Sequence, residues 1–300
     1  MSSPDVIVIL VAYVSFCLFV MYFCGIADPY SSKIAHLLQV DLPRKLWAST
    51  SKVMGEKRMG VLQSILDLAL AFVYFFVVLG CWTVVFWYIY PWISESSHVG
   101  NYHKIIGYTV FLACFGSWRL TNISSPGIIT ASSFRRFDHY PYDNLMFLPH
   151  RRCETTKLIR IPRSKYDRLK YHQNVPRYDH FCGWVHNTIG EENYRWFLLF
   201  LTIHVIMCVY GSTICMLLLR GEIIDKKLLE IEFFDRNTGE HVKSSLWIVF
   251  QFLFMRKTFE VGLLIIMFVM AIALGGFLGY HVSPTSFTLI LSCAKEMLHC

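Results

Sequence analysis

The residues best suited to chemistry lie in one polar stretch, positions 178–193. It reads Tyr178-Asp179-His180-Phe181-Cys182-Gly183-Trp184-Val185-His186-Asn187-Thr188-Ile189-Gly190-Glu191-Glu192-Asn193. Cys182 is two residues from His180, which is next to Asp179. A thiolate is the reactive form of cysteine, and a histidine can take the thiol's proton while a carboxylate orients the imidazole. A cysteine near a histidine in a loop is more often without a catalytic role, so the pattern alone leaves both interpretations open.

The composition indicates that this stretch belongs to a membrane protein. Of the 300 residues, 55% are hydrophobic and only 16% are charged, whereas soluble domains carry about 25% charged residues. The formal net charge of +7 indicates cytosolic loops that face anionic lipid, and we expect no nucleic-acid partner. Ten cysteines are present, but most fall in or beside apolar runs, where a thiol behaves as a small hydrophobe. No disulfide framework is predicted.

Five apolar runs predict an all-α polytopic membrane protein of about five transmembrane helices. They lie at residues 6–26, 66–90, 105–118, 196–219 and 259–280. The first run lacks a basic start, so we expect a retained span and not a cleaved signal peptide. The run at 246–255 is too short to span and predicts a re-entrant or interfacial helix.

The distribution of Lys and Arg predicts the orientation. Residues 119–195 contain thirteen basic side chains, whereas residues 91–103 contain none, which places the former in the cytosol. We therefore predict the following segments: an N-terminal transmembrane helix at 1–27, a cytosolic basic loop at 28–60, a transmembrane pair at 61–120, a cytosolic catalytic loop at 121–195, a transmembrane pair at 196–281 with a lumenal loop at 220–258, and a C-terminal tail at 282–300.

The motifs in the large loop resemble the DHHC protein S-acyltransferases (palmitoyltransferases). Asp179-His180-Phe181-Cys182 stands where the family has Asp-His-His-Cys. Further similar pieces are Ser125-Pro126-Gly127, the Tyr140-Pro-Tyr-Asp-Asn144 stretch, Arg163-Ser164-Lys165, Gly183-Trp184-Val185, Asn187 and Ile189-Gly190-Glu191. The similarity covers about residues 119–280.

The resemblance implies a two-step reaction. Cys182 would attack palmitoyl-CoA or another long-chain acyl-CoA, with His180 as base and Asp179 as its orienting acid, to give a thioester intermediate. A cysteine of a membrane-associated protein would then take the acyl chain. The endoplasmic reticulum or the Golgi is the family's commonest location, and we expect the protein there, in the lipid bilayer with the catalytic loop in the cytosol.

The loop departs from the family at its zinc ligands. The family's two zinc ions are each held by three Cys and one His, but here most of those ligands are replaced. The changed positions are Thr156, Tyr166-Asp167, two positions within 168–174, Phe181 and Thr188, and only Cys153 is retained. One thiol cannot hold a tetrahedral structural zinc, so we predict no metal site. Aromatic residues of the loop, such as Tyr171, Tyr178 and Trp184, either substitute for the metal or pack against the membrane.

Two interpretations of function remain open at this point. Retention of Asp179, His180 and Cys182 favours an active S-acyltransferase, whereas loss of the zinc ligands favours a silent family member that serves as a membrane scaffold or as partner of an active enzyme. Gly279-Tyr280-His281 resembles the approach to the family's Thr-Thr-x-Glu motif, which does not follow here. A transporter or channel has little support, because charged residues within the apolar runs are few.

Overall fold

The computed structural model describes residues 33–143, 145, 147–234, 239 and 241–283. The structure is mostly helical (62%), with small strands only, which confirms the predicted all-α membrane class. The chain divides into two units, residues 1–68 and 69–300. The first predicted span, at 6–26, and most of the predicted C-terminal tail lie outside the described residues.

The described part of the first unit is helical. Helix α1 (Lys33–His36) continues through a π-helical turn (Leu37–Asp41) into α2 (Leu42–Met54). Gly55 ends α2 with φ of +75°, a left-handed conformation that a glycine adopts without steric cost. Helix α3 (Glu56–Val84) begins at the next residue. The segment that we predicted as a basic loop, 28–60, therefore contains regular helix, because no proline or glycine within Arg44–Met54 interrupts it.

The second unit contains the remaining elements. In chain order these are a π-helical turn (Val85–Ile89), α4 (Tyr90–Glu95), α5 (Tyr102–Ile123), α6 (Phe134–Phe137), β1 (Lys165–Tyr166), β2 (Asn174–Val175), β3 (His180–Cys182), β4 (Asn187–Ile189), α7 (Tyr194–Asp225), β5 (Glu232–Phe234), β6 (His241–Lys243), α8 (Leu246–Arg256) and α9 (Thr258–Val282). The strands pair as three antiparallel hairpins: β1 with β2, β3 with β4, and β5 with β6.

Three helical segments of the described chain are long and apolar enough to cross a membrane. They are Leu68–Glu95, Tyr194–Asp225 and Thr258–Val282, and they contain the second, fourth and fifth predicted runs. The third predicted run lies in α5, whose 22 residues extend for about 33 Å. The length of α5 is therefore sufficient for a transmembrane helix. Its composition is less apolar than that of the other three segments, because polar residues lie at both of its ends. The short run at 246–255 forms the separate helix α8, and its predicted re-entrant or interfacial placement stays a prediction.

Aromatic and aliphatic side chains of α3, α5 and α7 pack into one buried cluster with the β3–β4 hairpin. Its buried members are Tyr74, Val78, Trp82, Trp118, Cys182, Val185, Ile189, Phe197, Phe200 and Leu201. Inside it the hydroxyl of Tyr74 lies 2.8 Å from Nε2 of His204, so this membrane histidine makes an interhelical hydrogen bond. The hairpin is therefore packed directly against the end of the helical bundle.

Candidate active site

Strand β3 explains why the spacing of His180 and Cys182 matters. The strand pairs with β4 in the register His180 to Ile189, Phe181 to Thr188 and Cys182 to Asn187. Successive side chains on a strand point to opposite faces. His180 and Cys182 therefore share one face, and the intervening Phe181 lies on the other. The sequence prediction that these two residues act together thus has a simple geometric basis.

Asp179 and Cys182 both contact the His180 imidazole. Nδ1 of His180 lies 2.7 Å from Oδ2 of Asp179, and the side chain of Cys182 makes a further hydrogen bond with His180. Burial alone would lower the pKa of His180, but these hydrogen bonds and the negative charges of both partners raise it to about 9. The geometry therefore favours an imidazolium at neutral pH, the form that stabilises an adjacent thiolate.

The carboxyl group of Asp179 is tuned in the opposite direction. Burial would raise its pKa, but the hydrogen bond from His180 and the nearby positive charges of His180, His281 and Arg177 lower it. The side chain of Asp179 is 15% exposed, against 33% for His180. The carboxylate therefore stays ionised and holds Nδ1 of His180. Nε2 is then the ring nitrogen that can exchange a proton with another group.

Cys182 lies between the polar loop and the apolar bundle. Its relative exposure is 7%, and it belongs to the buried cluster formed with α3, α5 and α7. Gly183, the next residue, packs closely on α3, since an added Cβ would lie 2.6 Å from Cδ1 of Leu70 and would require that side chain to move. The thiol therefore faces apolar surroundings on one side and His180 on the other.

Two side chains of helix α5 donate hydrogen bonds to the turn of the β3–β4 hairpin. Nε1 of Trp118 donates to the carbonyl oxygen of Trp184 at 3.0 Å, and Nδ2 of Asn122 donates to that of Val185 at 2.7 Å. The ring of Trp118 is itself packed, with its centroid 4.4 Å from that of Phe75. Two side chains of one helix thus fix the backbone directly after the nucleophile position.

Asn187 connects the hairpin to both the bundle and the rest of the loop. Its Nδ2 donates to the carbonyl oxygens of Thr121 and Ser124, each at 2.8 Å. Its Oδ1 accepts from Nζ of Lys170 and from the hydroxyl of Tyr171, each at 3.0 Å. Asn187 is fully buried, and its amide uses two donors and both acceptor positions.

Asn193 makes a second buried connection at the start of α7. Its Nδ2 donates to the carbonyl oxygens of Thr188 and Ser124, at 2.8 and 3.2 Å, and its Oδ1 accepts from the backbone of Gly190 at 2.9 Å. The loop therefore returns to the end of α5 through two asparagine side chains. In the sequence Asn187 is notable only as part of the family resemblance, and Asn193 carries no signal of its own role.

Hydrogen bonds occupy the positions at which the resembling family has zinc ligands. Oδ2 of Asp167 accepts from the hydroxyl of Thr188 at 2.9 Å and from the backbone of Tyr171 at 2.9 Å. Its Oδ1 accepts from the backbone of Leu169 at 3.1 Å. Asp167 and Thr188 are both buried. A carboxylate with three donors thus links the 167–171 segment to strand β4.

A similar polar cluster surrounds Cys153. Its Sγ lies 3.6 Å from Oδ1 of Asn174, and Nδ2 of Asn174 donates to the hydroxyl of Thr156 at 2.8 Å. Burial would raise the pKa of Cys153, but hydrogen bonds with the side chain and backbone of Thr156, with Asn174 and with the backbone of Thr155 lower it to about 7. The three side chains bring together the first part of the loop and strand β2.

Neither cluster fits a structural zinc ion. Tetrahedral zinc needs four Cys or His ligands, whereas one cluster offers a single thiol and the other a carboxylate already bound by three donors. Over the described ranges, no three His, Cys, Asp or Glu side chains form a possible metal site. The aromatic residues considered as substitutes for metal differ in their contacts. Tyr171 contributes through its hydroxyl, and the Trp184 side chain is 48% exposed.

Comparison with known proteins identifies relatives of this loop. Residues 147–289 match the family model described as DHHC palmitoyltransferase. The chain is 35% identical to palmitoyltransferase SWF1 of Yarrowia lipolytica over 125 residues, which is 41% of this chain and 32% of that protein. It is 28% identical to bovine palmitoyltransferase ZDHHC4 over 196 residues, 63% of this chain and 56% of the relative. The match thus spans about a third to a half of these relatives' own lengths.

We expect Asn187→Ala to lower stability strongly. It removes four hydrogen bonds at once, each with a net contribution of about 1 kcal/mol. Ser124 still accepts from Asn193, and Lys170 still donates to the carbonyl oxygen of His186. A loss of about 3 kcal/mol lowers the melting temperature in detergent by ~6 °C or more. Asn122→Ala, which removes one bond to the same hairpin, is the matched control and should cost about a third as much. Equal melting temperatures for wild type and Asn187→Ala would contradict this assignment.

We expect the melting temperature to be insensitive to metal chelators. EDTA or phenanthroline should leave it unchanged, and elemental analysis should find well under one zinc per chain, because the ligand set is incomplete. Asp167→Ala should lower the melting temperature equally with and without chelator, since it removes an acceptor of three hydrogen bonds. A chelator-induced fall in the wild type would show that metal holds the loop.

Proposed function

The chain belongs to the DHHC-type protein S-acyltransferase family, and on this premise we propose that it is a protein S-palmitoyltransferase. It moves a long-chain fatty acyl group from acyl-CoA, through an acyl-enzyme on Cys182, to cysteines of membrane-associated proteins. The observation that carries the proposal is the contact of His180 with both Asp179 and Cys182. A silent scaffold would not need this arrangement.

In the first step Cys182 reacts as the thiolate whose proton His180 already holds, and its sulfur attacks the carbonyl carbon of the acyl-CoA thioester. A new C–S bond forms to Cys182, the C–S bond to CoA breaks, and the CoA thiolate takes the proton from His180. In the second step a substrate cysteine, deprotonated by His180, attacks the Cys182 thioester. That transfer returns the thiol to Cys182, so no oxidant, reductant or metal is consumed.

The position of Cys182 against the apolar cluster supports a lipid substrate. The thiol lies among buried rings of α3, α5 and α7, including Tyr74, Trp118 and Phe197. Each CH₂ group of an acyl chain that leaves water for such surroundings contributes about 0.8 kcal/mol. A long chain attached at Cys182 can therefore lie along the bundle while its carbonyl group faces His180.

Basic side chains near the site suit the phosphates of CoA. The guanidinium of Arg177 lies 5.2 Å from the ring centroid of Tyr194, and its charge contributes to the lowered pKa of Asp179. The ammonium of Lys165 lies 4.9 Å from the ring centroid of Tyr178. These cations belong to the basic segment 119–195, which under the positive-inside rule faces the cytosol, where acyl-CoA is found. We place the protein in the endoplasmic reticulum or Golgi membrane on the same family premise.

We expect an acyl-enzyme to form on Cys182. Purified protein incubated with alkyne-tagged palmitoyl-CoA should acquire a hydroxylamine-sensitive label that is absent from Cys182→Ser, because that variant has no thiol to acylate. His180→Ala should label at least ~10²-fold more slowly. Cys153→Ser removes the other loop thiol and is the control, with labelling unchanged. Persistent label in Cys182→Ser, or none in well-folded wild type, would leave the scaffold as the better account.

The pH dependence of acylation tests the role of Asp179. Because His180 must hold a proton for the CoA thiolate, the wild-type rate should fall as the pH rises through about 9. Asp179→Asn removes a charge that raises the pKa of His180, so its rate should fall at lower pH. The variant should also be slower at its optimum, by on the order of 10²-fold or more. Identical alkaline limbs for the two proteins would contradict the pairing.

A further inference from the structure

The end of helix α9 brings a second histidine to the candidate site. The ring centroids of His281 and His180 are 6.2 Å apart, with an interplanar angle of 38°. The ring of Phe197 lies edge-on to both, with centroid distances of 5.2 Å. The rings of His180, His281 and Phe197 therefore form a triangle in which each ring lies close to the other two. In the sequence, His281 was only part of a stretch leading to an absent motif.

Tyr194 fixes the orientation of His281. Its hydroxyl lies 3.0 Å from Nδ1 of His281 and donates to the carbonyl oxygen of the same residue at 3.3 Å. A hydroxyl has a single proton to donate. Because Tyr194 donates it to the carbonyl oxygen, Nδ1 of His281 is the donor in the contact with the tyrosine oxygen. The ring of Phe277 packs edge-on at 4.6 Å. Tyr194 is the first residue of α7, so one side chain joins the start of α7 to the end of α9.

Several charged or titratable groups face His281 from the surrounding elements. Asp179 and His180 approach from the loop, and the charge of His281 contributes to the lowered pKa of Asp179. Tyr280 lies beside it in α9, with a ring-centroid distance of 5.3 Å. Arg177 lies over the ring of Tyr194. The ring of His281 thus reaches the Asp179–His180 pair from a membrane helix.

We propose that His281, held by Tyr194, is a positioning residue for the His180–Cys182 pair. It fixes the His180 ring from the side of α9 and places a second imidazole beside Asp179. It forms no bond to the substrate and transfers no proton in the two steps above. The kinetic consequence rests on the proposed acyltransferase function, whereas the effect on the reactivity of Cys182 does not.

The test compares Tyr194→Phe and His281→Phe with wild type by two measurements. The first is the rate of Cys182 acylation by palmitoyl-CoA, from which we expect a kcat about 10-fold lower and a KM changed by less than ~2-fold, since a displaced base slows the chemistry without altering binding. The second is the rate at which iodoacetamide alkylates Cys182 at pH 7, followed by mass spectrometry, which needs no enzymatic turnover. It should fall by a similar factor.

Tyr210→Phe is the matched control. Tyr210 also lies in α7, and its hydroxyl is 2.5 Å from Nδ1 of His103 in α5, so the substitution breaks a similar tyrosine–histidine contact away from Cys182. It should leave both rates unchanged. Unchanged alkylation in Tyr194→Phe and His281→Phe, or an equal loss in Tyr210→Phe, overturns the inference. Slower alkylation in the two site variants, together with no acyl-enzyme in the wild type, overturns the proposed function and leaves the inference standing.

Discussion

The four hydrogen bonds of the Asn187 amide are the interaction on which the candidate site depends. They join the end of α5, the middle of the loop and strand β4 at one buried point. Cys182 is paired with Asn187 across the hairpin, so the position of the thiol relative to the bundle follows from that of the amide. An unpaired amide at such a point would cost more than the bonds contribute, which makes the arrangement specific as well as stabilising.

Beyond this junction, hydrogen bonds between polar groups connect the segments of the loop. Asp167 collects three donors, and Asn174 links Thr156 to Cys153. Each contact is individually modest, with a net contribution of about 1 kcal/mol. Their effect is collective, because each bond closes a different segment of the loop onto a neighbour. Directional hydrogen bonds thus fix the path of the chain through the loop.

Much of this structure could be predicted from the sequence because its signals are local. Apolar runs gave the helices around residues 66–90, 196–219 and 259–280, and the two-residue spacing of His180 and Cys182 was enough to pair them. The link from Asp167 to Thr188 was not predictable, since it depends on which loop segments meet in space. His281 was missed for the same reason. It lies about a hundred residues from His180, and a lone histidine near a helix end carries no periodic signal.

The replacement of thiolates by oxygen and nitrogen groups in the loop has a consequence for the cell. A loop held by cysteine-bound zinc folds only after metal delivery and opens when oxidants convert its thiolates to disulfides. At positions 156, 167, 174 and 188 this chain presents a hydroxyl, a carboxylate, an amide and a second hydroxyl, none of which peroxide attacks. The thiols that an oxidant could reach within residues 121–195 are therefore reduced to Cys153 and Cys182.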